Sequence, residues 1–146
     1  MYLRLNGLFQ GAGQAVEEAL RARVTTNTAG LILDVRGAAG SDLVSVADIA
    51  SAYAREGAVL FRVLDGQGRE TAAYKAREAR PLSLPTLVLT DAGTAGAAET
   101  LAAVLREFRG VVLIGAPTAG DDRLREFIPL DDGRLLHLAT TRVDVS

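Results

Sequence analysis

Few side chains in this sequence can move a proton near neutral pH. The 146 residues hold one histidine, His137, one lysine, Lys75, and no cysteine. Without thiols there is no cysteine nucleophile, no thiolate metal site and no disulfide. A single imidazole excludes a multi-histidine metal centre. The other fifteen basic residues are arginines, and a guanidinium does not deprotonate in a protein, so it cannot act as a base. Covalent chemistry would need a hydroxyl beside a group able to take its proton, which leaves His137, Lys75 or a carboxylate. His137 sits in the alternating run Leu135-Leu136-His137-Leu138, where a period of two turns it away from its apolar neighbours and toward solvent. Lys75 falls in a hairpin and reads as a solvated strand lysine. The acidic pair Asp131-Asp132, followed by Gly133, has the composition of a tight turn. It lacks the converging oxygens of a calcium loop.

Composition narrows the rest. Net charge is −2 with no basic run of five or more, so the electrostatic footprint of a nucleic-acid binder is missing. No apolar run approaches the ~20 residues of a membrane-spanning helix. The length suits a single domain over residues 1–146, with no linker, repeat or low-complexity segment. Met1 is followed at once by a strand-like stretch rather than by a secretory signal. The sequence is therefore compatible with a cytoplasmic protein, or with an extracytoplasmic domain cut from a longer exported chain.

The elements that must position any site follow from patterning. Tyr2, Leu3 and Leu5 mark a short strand. Ala12 to Val24 repeats apolar residues at helical spacing, with Glu17 and Glu18 ahead of Arg21 and Arg23 in the sense that favours the helix dipole. Leu31 to Val35 is a continuous apolar run after Gly30, the pattern of a strand buried on both faces. Ser41 or Asp42 caps a helix through Tyr53. Ala58 to Leu64 forms a strand that turns at Asp65-Gly66-Gln67-Gly68 and returns through Tyr74. Thr86 to Thr90 is a strand, Ala95 to Phe108 a helix, and Val111 to Ile114 another buried strand. Phe127 to Leu130 and Leu135 to Ala139 close the chain as a hairpin. Strand–helix–strand units with buried parallel strands make an α/β domain.

Four of these stretches carry a resemblance. Gly30 to Arg36, GLILDVR, is similar to the strand GLILDLR of the tail-specific (C-terminal-processing) serine peptidases. Thr86 to Glu99, TLVLTDAGTAGAAE, resembles their VLVNGGSASASE turn. Val112 to Gly120, VLIGAPTAG, resembles VVGEPTFGKG, and Ile128 to Arg142, IPLDDGRLLHLATTR, resembles YPLPDGSALKLTTAR. The resemblance covers nearly the whole chain. It implies a ClpP/crotonase-like fold, a mixed sheet of β-β-α type units with helices packed on it and a closing β-hairpin. The PDZ module common in that family has no counterpart here.

The resemblance also locates where the family's chemistry would stand. The nucleophilic serine falls on Gly96 and the lysine base on Asp121, and a supporting glutamine of some members falls on Arg125. The serine before the nucleophile becomes Thr94 and the one after becomes Ala98, while Glu99 persists. Gly96 offers only backbone, and an exposed carboxylate near pKa ~3.9 is a weak base at neutral pH. Thr94 is the nearest remaining hydroxyl; its simplest reading is the N-cap of the following helix. Gly40 matches the first glycine of the family's oxyanion pair and Ser41 replaces the second. The Ala97 amide would stand at a helix N-terminus that favours an anion or a polarised carbonyl. Asp34 and Arg36 read as anchors of the loop after their strand.

Two function classes follow. The first is a non-catalytic peptidase-like domain that binds a peptide or small ligand, or scaffolds, through a shallow groove near Gly40, Ser41, Thr94, Gly96, Ala97 and Asp121. The second is a serine-type peptidase or other ClpP/crotonase-fold enzyme using a non-standard nucleophile such as Thr94. Neither implies a cofactor or a metal, and the sequence leaves the oligomeric state open. The first class is the expectation taken forward.

Overall fold

The computed structural model describes residues 1–77, 82–121 and 123–145. In chain order the elements are β1 (Tyr2–Arg4), β2 (Gly7–Leu8), α1 (Ala12–Arg23), β3 (Leu31–Asp34), β4 (Ala39–Gly40), α2 (Leu43–Ser51), β5 (Val59–Asp65), β6 (Glu70–Lys75), β7 (Thr86–Thr90), α3 (Ala97–Arg106), β8 (Val111–Gly115), β9 (Arg123–Pro129) and β10 (Leu135–Asp144). They build a parallel sheet in the order β1-β3-β7-β8 and an antiparallel sheet in the order β6-β5-β10-β9. A third, two-stranded sheet pairs β2 with β4. The architecture is the mixed α/β arrangement expected from the alternation of elements.

The core lies between the parallel sheet and its helices. Leu31, Leu33, Thr86 and Val88 point inward and are buried, as are Val16 and Leu20 of α1, Val46, Ala47 and Ile49 of α2, and Leu101, Val104 and Leu105 of α3. Each buried aliphatic side chain contributes about 1.5–3 kcal/mol relative to staying exposed. Phe61 of β5 is also fully buried, stacked on Tyr74 of β6 at 4.5 Å between ring centroids. α2 begins on Asp42, whose carboxylate accepts the Val44 amide (3.1 Å) and the Ser45 hydroxyl (2.6 Å).

Several expectations are corrected. β3 and β8 are not buried on both faces. The register aligns Tyr2, Ile32, Leu87 and Val112 in one row across all four parallel strands, and all four are exposed, as is Ile114. The helices cover one face only, and a continuous apolar run cannot say which face will be covered. The helix placed from Ala95 spans Ala97–Arg106 and has Gly96, not Thr94, at its N-cap. Glu17 and Glu18 lie beyond the first turn of α1, which holds no acidic residue. In the closing hairpin Leu136 and Leu138 are exposed along with His137, so alternation does not separate an inner from an outer face there. The imidazole stacks instead on Phe127, with ring centroids 4.4 Å apart.

Candidate functional site

β7 ends at Thr90 and α3 begins at Ala97, so the chain turns from strand to helix within six residues. The sharpest point is Gly96, at φ 58° and ψ −125°. A non-glycine residue held in such a sparsely populated region is strained, and a tight strand-to-helix turn of this kind is where a nucleophile elbow presents its side chain. Here no side chain is presented. A Cβ on Gly96 would stand 2.5 Å from the Gly40 carbonyl oxygen, well inside any real carbon–oxygen contact. The structure thus brings Gly40 and Gly96 together as expected, but backbone to backbone, with the Gly40 carbonyl filling the space above the turn. Gly40 is itself held close to β2: a Cβ there, at φ 149°, would meet Leu8 O at 2.1 Å.

A hydrogen-bond network stitches the elbow to the loop after β3. The Thr94 hydroxyl donates to Val35 O (2.9 Å) and accepts the Asp91 amide (3.1 Å), and Thr94 is fully buried. Asp91 Oδ1 accepts the Gly37 and Gly93 amides, each at 2.9 Å. The Gly37 amide bond, with the others, lowers the Asp91 carboxyl below the ordinary carboxylate range. The Ala95 amide closes the seam on Ala38 O at 3.0 Å. Thr94 is therefore a pin between two loops rather than a helix cap, and its hydroxyl proton is spent on a main-chain carbonyl. Sequence reasoning missed Asp91; an Asp two residues before a glycine was the available signal for a side chain folding back on its own turn.

The segment after β8 clamps the other side. Ala119 N donates to Thr94 O at 3.0 Å. Glu99, in the first turn of α3, accepts the Thr118 hydroxyl and the amides of Gly120 (2.6 Å) and Asp121 (3.1 Å). Asp121 is turned toward β9: its carboxylate takes Arg123 Nε at 2.9 Å and an Arg125 terminal nitrogen at 2.6 Å. Arg123 first, then Arg125, hold its pKa down at about 2, so at neutral pH it is an ionised, paired carboxylate and not a base.

The remaining candidates are scattered. Ala97 is fully buried at the start of α3. Ser41 is exposed on a cleft of ≈ 590 Å³ beside Phe9 and Asp48, whereas Asp121 opens onto a different cleft of ≈ 370 Å³ with Glu99, Thr100 and Arg106. Lys75 is exposed at the end of β6, and His137 lies on the closing hairpin; the Thr94 hydroxyl bonds to neither. Asp34 is buried under Tyr2, whose hydroxyl donates to it at 2.6 Å, and Arg36, which binds both its oxygens at 2.9 and 2.8 Å. The Arg36 guanidinium holds the Asp34 carboxyl well below the usual range. Among the described residues no group of three or more His, Cys, Asp or Glu side chains is arranged to hold a metal ion, and no helix is long and apolar enough to cross a membrane.

Comparison with known proteins places this arrangement. The model of peptidase family S41 matches residues 1–144. The carboxyl-terminal-processing peptidase 2 of Arabidopsis thaliana chloroplasts is 28% identical over 144 residues, covering 98% of this chain and 28% of that protein. A carboxyl-terminal-processing protease of Synechocystis is 33% identical over 132 residues, covering 90% of this chain and 30% of its own length. The chain thus spans less than a third of these curated relatives. Among solved structures, the photosystem II D1 C-terminal processing protease superposes with a TM-score of 0.86 at 26% identity, over 99% of this chain and 37% of that one. A peptidase-like structure from Parabacteroides merdae shares the fold, with a TM-score of 0.76 at 23% identity, over 99% and 48%.

Proposed function

The chain belongs to peptidase family S41, and on that premise we propose that this domain is a non-catalytic member that binds or scaffolds without cleaving peptides. One observation carries the reading: the Gly40 carbonyl oxygen stands 2.5 Å from where any Gly96 side chain would begin. A missing hydroxyl alone would leave an open pocket, but here the main chain occupies it. Acyl transfer through a covalent intermediate needs a nucleophile, a base within hydrogen-bond reach and room for a carbonyl between them. Gly96 supplies no nucleophile. Asp121, paired with two arginines, supplies no base. Thr94 is buried with its proton donated to Val35 O, so the enzyme reading through that hydroxyl finds no support in the geometry.

With the elbow closed, a ligand is better served by a sheet edge than by a groove at Gly96. Among the described residues β8 borders the parallel sheet, with Val112 and Ile114 exposed. An extended peptide could add there as a further strand, main chain giving affinity and alternate side chains giving selectivity. The test is a cleavage and labelling assay on the purified chain. A fluorophosphonate probe is expected to leave it unlabelled, and a disordered polypeptide such as casein is expected to stay intact. Trimming that disappears in Thr94→Ala would overturn the proposal.

A further inference from the structure

The closing hairpin gains little support from the rest of its chain. β5 takes up β10 only at residues 141–144, so residues 135–139 pair with β9 alone. Residues 129–139 are all exposed. Phe127 and Leu135 stand out beside His137 on one face of the ribbon, and Leu136 and Leu138 on the other. A two-stranded ribbon with no third strand or packed helix is marginally stable in water. β9 is also an open edge of the antiparallel sheet, a row of main-chain groups ready to pair with another chain.

The ladder decides which groups that edge offers. Leu130 N donates to Arg134 O at 2.8 Å, and these two residues continue the register that sets Pro129 opposite Leu135 and Phe127 opposite His137. Bonded and unbonded pairs alternate along an antiparallel ladder. Arg125, Phe127 and Pro129 therefore turn their main-chain groups away from β10, to the open side. Such an edge is complementary to itself. About a two-fold axis at Phe127, two copies exchange N–H···O=C bonds at that residue, and each Arg125 amide meets the Pro129 carbonyl of the other copy. The two Phe127 rings come side by side, flanked by the His137 rings stacked on them, and aromatic neighbours across strands attract. Each acidic turn, Asp131-Asp132, comes beside Arg142 of the other copy. Neither Asp131 nor Arg142 has an ion-pair partner among the described residues. Arg142 also faces Arg123 in register, so an added carboxylate offsets like-charge repulsion there.

We propose that this chain forms a two-fold dimer by pairing β9 with β9 of a second copy, antiparallel about Phe127, joining the two four-stranded sheets into one. The pairing uses each edge once and so closes the assembly instead of extending it. A contact made chiefly by two seven-residue strands lies at the low end of interface size, about 1,200 Å² or less in all, so the dimer is a weak one.

The test is sedimentation velocity of the 146-residue chain over a micromolar concentration series. A reversible monomer–dimer equilibrium is expected, with no larger species. Phe127→Lys sets two like charges on the axis and should weaken it about tenfold or more. Asp131→Arg and Arg142→Glu should each weaken self-association several-fold. An equimolar mixture of those two variants should recover the original affinity, because each altered charge then meets its opposite in the other copy. Urea unfolding of dilute protein checks that each variant keeps its fold. Hydrogen exchange needs no variant: on dimerisation the Arg125 and Phe127 amides should slow about tenfold, while Ile128, bonded within the hairpin, should not change. A chain that stays monomeric, a dimer indifferent to Phe127→Lys, a mixture that fails to recover, or no slowing at Arg125 and Phe127 would overturn the proposal.

Discussion

Replacing Gly96 by alanine is the most direct probe of the closed elbow. Two costs are separable from the geometry. The first is backbone strain at φ 58° and ψ −125°, about 1–3 kcal/mol for a residue with a Cβ. The second is the 2.5 Å approach to Gly40 O. That oxygen cannot simply swing aside, because Gly40 is paired with Leu8 across β2 and β4 and lies too close to Leu8 O for any side chain of its own. Moving it means displacing the loop that Ala95 N and Thr94 Oγ1 tie down, an overpacking cost of about 1–3 kcal/mol. The sum, about 2–6 kcal/mol, is a large share of the roughly 5–15 kcal/mol that stabilises an ordinary domain.

Gly110 supplies the control. It has φ 87° and open space where a Cβ would stand, so Gly110→Ala pays strain alone. Urea unfolding followed by circular dichroism should therefore rank Gly96→Ala below Gly110→Ala, by about 1–3 kcal/mol of crowding on top of any difference in backbone strain between the two turns. Gly96→Ser should be at least as destabilised and should gain no fluorophosphonate labelling, since its hydroxyl would have to grow into an occupied space. Equal destabilisation in the two alanine variants would refute the claim that backbone fills the site.

Thr94→Val keeps the volume of the pin but leaves the Asp91 amide without its acceptor, while Val35 O keeps the Ala38 amide at 3.1 Å; at about 1–3 kcal/mol per unpaired buried group it should cost about 1–3 kcal/mol, while Thr94→Ser should lose much less in the same unfolding assay. Glu99→Ala should free the loop that carries Asp121, raising hydrogen exchange at the Gly120 and Asp121 amides by about tenfold or more without a matching loss in α3. Asp34 is held below the ordinary carboxylate range when folded, so its contribution to stability is present above the unfolded value near 3.8 and is lost as pH falls toward its folded value; Asp34→Asn should flatten that acid limb in pH-dependent unfolding. Leu101→Ala, fully buried, should cost about 2–5 kcal/mol, whereas Leu87→Ser on the open sheet face should stay within about 1 kcal/mol.

Much of the frame was legible in the residues. Thr86 to Thr90 could be placed from the proline before it and the apolar run within it, and the Asp131-Asp132-Gly133 turn from its composition. β2 and β4 left no trace, because two-residue strands among glycines have no period to detect. Thr94 misled for an instructive reason. A threonine ahead of an apolar-periodic run carries the signature of a cap, but only Gly96, two residues later, can take the backbone angles of the turn. That moved the helix start and released the Thr94 hydroxyl for a partner 59 residues earlier in the chain, which local pattern cannot foresee. Asp121 follows Gly120 at the end of the third motif, yet its pairing with Arg123 and Arg125 depends on where β9 leaves the loop.

The turn at Gly96 bears no side chain, and the network around it shows what else its shape serves. The same turn that would aim a serine also starts α3, seats Ala95 on Ala38 O and leaves Thr94 free to hold Val35 O. Its geometry is a folding requirement before it is a catalytic one. A glycine satisfies that requirement at lower strain than a serine, since it has no Cβ to oppose the positive φ. With glycine at the turn, the Gly40 carbonyl packs over it. Strain relief and loop packing thus favour the same residue, and on the proposed non-catalytic reading a serine at this position would have to overcome both.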